Sequence, residues 1–532
     1  MPTGAETLAD ALAWHAARHP DRVHITLIEE GDRHSEITYG ALLREANEVA
    51  AGLRARDLEP GQPVALMLQT CREYFQAFFG ILLAGGVPVP LYPPAKATQI
   101  EEHVRRQAKI LESTAAPLMI VSEEARRPAT LVRSLTPTLR DVVTVADLRV
   151  PGAAPPRLPL SPAGLALLQY TSGSTGDPKG VMLTHANLLA NIRAMQQACG
   201  LNGADTFVSW LPLYHDMGLI GAWLGCLYTG ARAVLMSPLL FLSRPQRWLR
   251  TLSRERGTAS AAPNFAYDLC ATRLPDHDVD GLDLSSWRLA FNGAEAVHAD
   301  SLERFAARFA GTGFRRGALL PVYGLAENCL GVTFPPLGRG PRVDRVKRDA
   351  FLRDRAAIPA ADDDPTALAF VACGRPLANI EVRIADDAGH ECGDRRHGRI
   401  QFRGPSATAG YYRNPEATRK MFVGDWVETG DLGYLADGEL VPAGRAKDLI
   451  IRGGRNIIPT EIEEAVTGIP GVRRGCVAVF GDHDPKTGTE RVVVVAETAL
   501  RGDAERAALV KAIGAAVAPL LEGPPDEIVL AL

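Results

Sequence analysis

The sequence has no run of eighteen apolar residues, so no segment is long and apolar enough to cross a membrane as a helix. The first twenty residues lack the apolar stretch of a signal peptide; His15, Arg18 and His19 stand there in an amphipathic pattern. Cysteines are few and scattered. Cys71, Cys199, Cys226, Cys270, Cys329, Cys373, Cys392 and Cys476 never form a C-x-x-C pair, which argues against a disulfide scaffold or a zinc site and for a reducing compartment. There is no positive excess: 58 Lys+Arg against 62 Asp+Glu leave a net charge of −4, which argues against bulk nucleic-acid binding. No internal repeat occurs at solenoid periods. What remains is 532 residues, 46% hydrophobic and 23% charged, the make-up of an ordinary globular protein with room for several domains. A cytoplasmic location is the matching expectation.

Short apolar runs alternate with amphipathic stretches, which predicts an α/β protein. Val64–Leu68, Leu165–Gln169, Ala233–Met236, Leu289–Phe291 and Leu319–Tyr323 read as buried strands. Asp300-Ser301-Leu302-Glu303 reads as a capping box opening a helix over Leu302–Phe309. The proline-rich stretch 151–163 reads as a surface link. Residues from about Pro335 to Pro365, rich in Arg and Asp, read as irregular: a functional insertion or a disordered segment. A last unit starts near Gly444, with strands at Cys476–Phe480 and Arg491–Glu497 and a helix over Ala504–Val517.

One loop outweighs the rest. Thr171-Ser172-Gly173-Ser174-Thr175-Gly176-Asp177-Pro178-Lys179-Gly180 follows a buried strand and leads towards a helix opened at Thr184-His185-Ala186-Asn187. Glycines let a backbone approach anionic oxygens and present N–H groups to them. Ser and Thr add hydroxyl donors, and Lys179 adds a point charge. The combination suits a triphosphate. It is not a Walker loop, because no Gly-Lys-Ser/Thr opens the helix. Nor is it a nucleophile elbow, because Ser172 stands where Gly-x-Ser-x-Gly needs its first glycine.

Four further segments follow in order. They are Ser209-Trp210-Leu211-Pro212-Leu213-Tyr214-His215-Asp216-Met217-Gly218, Phe291-Asn292-Gly293-Ala294-Glu295, Tyr323-Gly324-Leu325-Ala326-Glu327, and Thr429-Gly430-Asp431-Leu432-Gly433 with Gly444-Arg445-Ala446-Lys447-Asp448. Each is weak alone. Together with the loop they resemble the adenylate-forming superfamily of acyl-CoA synthetases, luciferases and peptide-synthetase adenylation domains, over nearly the whole chain. Within it, Trp210–Gly221, Pro263-Asn264-Phe265-Ala266-Tyr267-Asp268-Leu269-Cys270, Leu284–Arg288 and Tyr323–Glu327 are most similar to the fatty acyl-AMP ligases, whose insertion after the Tyr-Gly segment would fall at about 336–364.

The resemblance implies an adenylate-forming α/β fold. A large N-terminal adenylation domain, 1–443, would hold α/β subdomains and a β-barrel-like subdomain. A small α+β domain, 444–532, would follow, apparently shortened. It implies ATP and Mg²⁺ as cofactors, a fatty acid as substrate, and the phosphopantetheine arm of an acyl carrier protein as acceptor. The loop Thr171, Ser172, Gly173, Ser174, Thr175, Gly176 and Lys179 would hold the β- and γ-phosphates, and Glu327 would ligate Mg²⁺. Asn292, Gly293, Ala294 and Glu295, with Tyr323, Gly324, Leu325 and Ala326, would flank adenine and ribose. Asp431 would accept from the ribose hydroxyls, and Arg445 would bridge to phosphate or ribose. Lys179, Glu327, His215 and Arg445 would be the catalytic set. Trp210, His215, Asp216, Met217, Asn264 and Phe265 would line the acyl pocket. Lys447 would be the hinge at which the small domain swivels.

Three features depart from the pattern. The Ser-Gly-Lys element, whose lysine reaches the α-phosphate in relatives, is not found before Leu532. After Lys447 only Lys486, in a loop, and Lys511, mid-helix, remain. The expectation is a truncated chain, a reaction run without that lysine, or an impaired protein. Ala326 stands where many relatives have Thr. Arg452–Pro459 looks as much like the CoA ligases as the AMP ligases. The basic cluster Arg339, Arg342, Arg345, Lys347 and Arg348 is either a solvated loop or a contact for an acidic carrier protein. The rivals are an acyl-CoA synthetase or another carboxylic-acid adenylating enzyme, and a non-catalytic acyl-adenylate or nucleotide-binding protein.

Overall fold

The computed structural model describes the chain apart from residues 94–99, 154–158, 172–177, 453–454, 485–488, 522 and 532, and apart from the side chains at 32, 100–103, 451, 455, 456, 483, 484 and 489. The chain divides into two compact units. One holds 1–341, 373–381 and 402–427; the other holds 342–372, 382–401 and 428–532.

The first unit is built on parallel sheets. Its largest has seven strands: β1 (Val23–Ile28), β2 (His34–Thr38), β9 (Thr206–Ser209), β10 (Arg232–Met236), β11 (Ala259–Ala262), β12 (Leu289–Asn292) and β13 (Leu319–Pro321). Their spatial order is β13-β12-β11-β9-β10-β1-β2. Every neighbouring pair is parallel except β1–β2. A second sheet, order β4-β3-β5-β6, joins β3 (Pro63–Met67), β4 (Val87–Pro90), β5 (Leu118–Val121) and β6 (Asp141–Val143), all parallel. Such strands are covered on both faces, which is why Val64–Leu66 and Leu289–Ala290 are continuous apolar runs with almost no exposure. β7 (Leu165–Thr171) pairs antiparallel with β8 (Lys179–Thr184), the strands on either side of the hydroxyl-rich segment in sequence, with Thr171 and Lys179 as cross-strand partners.

Several sequence expectations change here. Lys179 and Gly180, read as the end of the loop, instead open the strand Lys179–Thr184; the helix opens as expected at Thr184, its N-cap, which forms a reciprocal capping box with Asn187. No box caps the helix Ala299–Phe309: it starts three residues before Leu302, behind His298, and no side chain caps it. The run Leu319–Tyr323 breaks at Val322. β13 stops at Pro321, and Tyr323–Gly324 turns away to pair antiparallel with Gly331–Phe334.

The second unit has two cores. In one, Arg342–Val346 pairs antiparallel with Leu368–Ala372, and the helix Arg348–Asp354 packs Phe351 beside Tyr434, Val441 and Ala357. The stretch read as irregular therefore holds a strand and a helix. Its basic cluster is largely engaged. Arg342 pairs with Asp437, Arg348 with Glu461, and Arg345 donates to the Asp364 carbonyl at 2.7 Å. In the other core, Val477–Asp484, Thr489–Glu497 and Glu527–Ala531 form a three-stranded sheet. Helices Pro459–Thr467 and Asp503–Leu521 bury Ile462, Val466, Leu509, Ile513 and Val517.

Candidate active site

In parallel α/β sheets, ligands collect outside the carboxyl ends of the strands. Four sequence segments leave such ends side by side. Trp210 follows β9, Asn264 follows β11, Asn292–Glu295 closes β12, and Tyr323 follows β13, which are neighbours in the sheet. Their junctions are tight. Asn292 Nδ2 donates to Asn264 Oδ1 at 3.2 Å, and the Val322 N–H donates to the Asn292 carbonyl at 2.8 Å. A Cβ on Gly293 would lie 3.0 Å from the Val322 carbonyl oxygen, and one on Gly324 only 2.0 Å from that of Leu330. Asn292 is fully buried, and its Oδ1 has no partner among the described residues. Such an orphan acceptor fits a ligand N–H.

Two non-glycine residues adopt left-handed backbone here, Ala294 (φ 70°) and Cys329 (φ 64°). For alanine this costs roughly 1–2 kcal/mol. The expected result is that Ala294→Gly leaves thermal stability unchanged or raised, whereas Ala294→Val lowers it by more than about 1 kcal/mol; melting temperatures check both. Glu295 has a structural task as well: its Oε1 accepts from the Phe265 N–H at 2.6 Å, at the start of the helix Asn264–Arg273.

The Trp210–Gly218 segment is shaped by neighbours distant in sequence. Tyr74 Oη donates to the Leu213 carbonyl at 2.7 Å, and Gln169 Nε2 to that of Tyr214 at 2.8 Å. A Cβ on Gly218 would meet the Pro212 oxygen at 2.3 Å, so only glycine closes this turn. Trp210 stacks on Phe241 (centroids 3.9 Å apart) and meets the edge of Phe265. Trp210 and Met217 are buried, while Phe265 is 41% exposed. His215 is exposed, its Nδ1 2.7 Å from Asp216 Oδ1. The Met217 N–H donates to the same oxygen at 2.7 Å. The Asp216 carboxylate holds the His215 imidazole above its ordinary 6.5. The ion pair therefore contributes below that pH and is lost as pH rises through the raised value. Asp216→Asn is expected to move the His215 titration to lower pH in an NMR titration; an unmoved midpoint would contradict this.

Glu327 sits on a single helical turn, Ala326–Asn328, and is held from two sides. Its carbonyl accepts from the Thr408 N–H at 2.8 Å, and Tyr411 Oη donates to its Oε1 at 2.7 Å. Burial, with the Glu327 carboxylate next to it, keeps the Tyr411 hydroxyl protonated far above the ordinary tyrosine range. Beneath the turn, Asn328, Asn191 and Ser406 form a buried hydrogen-bond network around Gly331. The Tyr411 ring also lies under Lys179, whose Nζ is 5.2 Å from its centroid. Glu327 and Lys179, 148 positions apart by number, are thus bridged by one side chain that the sequence reading missed. A tyrosine in Gly410-Tyr411-Tyr412-Arg413-Asn414-Pro415 carries no local signal of such a role.

Ser172, Gly173, Ser174, Thr175 and Gly176 lie outside the described residues. Leu325 and Ala326 form the backbone between Tyr323 and Glu327, with Leu325 N–H donating to the Leu330 carbonyl. In the second unit, Asp431 and Arg445 are cross-strand partners, Arg445 Nε lying 3.4 Å from Asp431 Oδ1. Lys447 stands exposed in the turn that follows.

Among the described residues no group of three or more His, Cys, Asp or Glu side chains could hold a metal. A lone carboxylate at Glu327 suits a hard cation that arrives with phosphate oxygens as its other ligands.

These features make the carboxyl ends of this parallel α/β sheet the candidate ligand site. The chain belongs to the AMP-binding enzyme family, which matches residues 12–412. It is similar to the medium-chain-fatty-acid–[acyl-carrier-protein] ligase JamA of Moorena producens, 33% identical over 92% of this chain and 85% of that protein. A putative acyl-CoA synthetase of Caulobacter vibrioides is 35% identical over 90% of this chain and 84% of its own. Among solved structures, a chain from work on the fatty acyl-adenylate ligases of E. coli and L. pneumophila superposes with a TM-score of 0.93 at 33% identity, covering 100% of this chain and 94% of that one. The fold is accordingly that of the adenylate-forming enzymes, and the resemblance to fatty acyl-AMP ligases extends over the whole length.

Proposed function

We propose that this enzyme activates a fatty acid with ATP and passes the acyl group to the phosphopantetheine thiol of an acyl carrier protein. The observations that carry the reading are the neighbouring carboxyl ends of β9, β11, β12 and β13, and the Lys179–Tyr411–Glu327 group, whose Glu327 follows Tyr323 by four positions in the chain. A carboxylate oxygen attacks the α-phosphorus of ATP, the Pα–O bond to pyrophosphate breaks, and an acyl-AMP mixed anhydride remains. A thiolate then attacks the acyl carbon, and AMP leaves. Lys179 and the loop before it offset the charge growing on pyrophosphate. Glu327 would hold Mg²⁺, which would supply charge neutralisation of phosphate oxygens. The buried Asn292 Oδ1 accepts from the adenine amino group. Trp210, Met217, Asn264 and Phe265 receive the acyl chain, and the His215 imidazolium, paired with Asp216, attracts the carboxylate end. Asp431 would accept from the ribose hydroxyls and Arg445 would bridge to phosphate or ribose, the roles that the resemblance implies.

The carrier-protein acceptor is supported by the similarity to JamA, and a CoA acceptor by that to the Caulobacter protein. Incubation with labelled fatty acid, ATP and Mg²⁺ should give acyl-AMP that persists or moves to holo-carrier protein. Efficient acyl-CoA formation would overturn the carrier-protein reading. Absence of fatty-acid-dependent pyrophosphate exchange would overturn the adenylation reading.

A further inference from the structure

We infer that Tyr411 is a positioning residue that builds the metal–phosphate corner of this site: its hydroxyl fixes the Glu327 carboxylate while its ring holds the Lys179 ammonium apart from that carboxylate. The inference rests on the proposed roles of Glu327 and Lys179.

Two opposite charges in one pocket tend to collapse onto each other. A direct Lys179–Glu327 ion pair would neutralise both and leave neither available for phosphates or cation. Here the Lys179 ammonium makes no ion pair among the described residues; it lies over the aromatic face, a weak attraction that a phosphate readily outcompetes. The hydroxyl end of the same ring meets Glu327 Oε1 at 2.7 Å, a charge-assisted hydrogen bond that removes the carboxylate's rotational freedom. One planar side chain therefore spaces the two charges and orients both.

The ring itself is held by backbone. Tyr411 bridges to Val181 of β8, the Met182 N–H donates to the Gly410 carbonyl, and the Tyr412 N–H donates to that of Gly180 at 2.8 Å. Thr408 Oγ1 donates to the Met182 carbonyl at 2.7 Å, and the Tyr411 N–H to Thr418 Oγ1 at 3.0 Å. Gly410 is required where it stands: its φ is 141°, and a Cβ there would lie 2.4 Å from Thr418 Cγ2. The segment that carries Tyr411 is thereby tied to β8, at whose first position Lys179 stands, and through Thr408 to the Glu327 carbonyl. Such preorganisation lowers the cost of ordering both groups when ligand binds.

The test measures ATP binding without fatty acid by calorimetry, with Mg²⁺ and with EDTA. Tyr411→Phe keeps the ring and loses the hydroxyl. It is expected to weaken binding about tenfold in Mg²⁺ and to leave binding in EDTA unchanged. Tyr411→Leu is expected to weaken binding in both, because Lys179 also loses its support. Equal losses for Tyr411→Phe in both media would mark a merely structural role and overturn the inference. Tyr411→Phe binding like the unaltered protein, while Glu327→Gln loses its Mg²⁺-dependent part, would overturn the inference and leave the Glu327 assignment standing. Glu327→Gln without a Mg²⁺-dependent loss would overturn the Glu327 assignment and the inference with it. Should Tyr411→Leu fail to fold, Tyr411→Phe decides alone.

Discussion

Lys179→Ala is expected to cut fatty-acid-dependent pyrophosphate exchange by a factor of about 10² to 10³, to background in an ordinary assay. That is the effect of removing one preorganised charge from a site where negative charge grows in the transition state, about 2.7–4 kcal/mol. Lys179 stands at the first position of β8, after the segment that resembles a phosphate cradle, and among the described residues its ammonium makes no ion pair and lies over the Tyr411 ring. Its loss should therefore leave the melting temperature nearly unchanged, as for a surface substitution. Lys179→Arg is expected to restore only part of the activity, because a planar guanidinium does not replace the compact point charge of an ammonium. Exchange that survives in Lys179→Ala with unaltered rate would overturn the assignment of the loop.

The second large effect concerns acid. His15, His24 and His185 are almost wholly buried in the first unit. Burial lowers them from 6.5 to about 4, about 3 and about 4 respectively. His15 and His24 sandwich the Tyr39 ring at 4.5 and 4.6 Å. His24 Nε2 accepts from the Trp223 indole N–H at 3.1 Å, and His185 Nδ1 accepts from the Leu8 N–H at 3.2 Å, so both are held neutral. Below pH 6.5 the unfolded chain binds protons that the folded unit refuses. Stability is full above 6.5 and falls as pH drops towards the lowered values. Each histidine costs about 1.4 kcal/mol per pH unit, so by pH 5 the three together remove about 6 kcal/mol. That is comparable with the whole stability of a typical domain. Urea midpoints at pH 7.5, 6 and 5 should fall steeply. His24→Gln keeps the acceptor for Trp223 without a proton to take up, and should flatten the slope by about a third. A flat profile between pH 7 and 5 would contradict the picture.

Much of this molecule was legible in its sequence. β3, β10 and β12 are short apolar runs bounded by turns, and hydrophobic burial on both faces makes such runs strands wherever they occur. The helix after Thr184 is signalled by its capping residues. Local signals misled where they lacked a tertiary context. Asp300–Glu303 has the letters of a capping box, but the helix begins earlier, where the His298 N–H donates to Asn264 Oδ1. The arginines around 342–348 looked like a free basic surface, yet Arg342 and Arg348 answer Asp437 and Glu461, acids nearly a hundred or more positions away.

The motif order, the parallel α/β framework and the residue types of a phosphate and carboxylate chemistry follow from the sequence alone, because they rest on local period, on backbone freedom at glycine and on side-chain chemistry. The joining of Lys179 to Glu327 through Tyr411, the closing of the 210–218 turn by Tyr74 and Gln169, and the burial of His15 and His24 around Tyr39 were decided only by the tertiary structure. Each of these depends on residues far apart in the chain meeting at hydrogen-bond or van der Waals distance, and no local pattern encodes which distant partner a side chain will find.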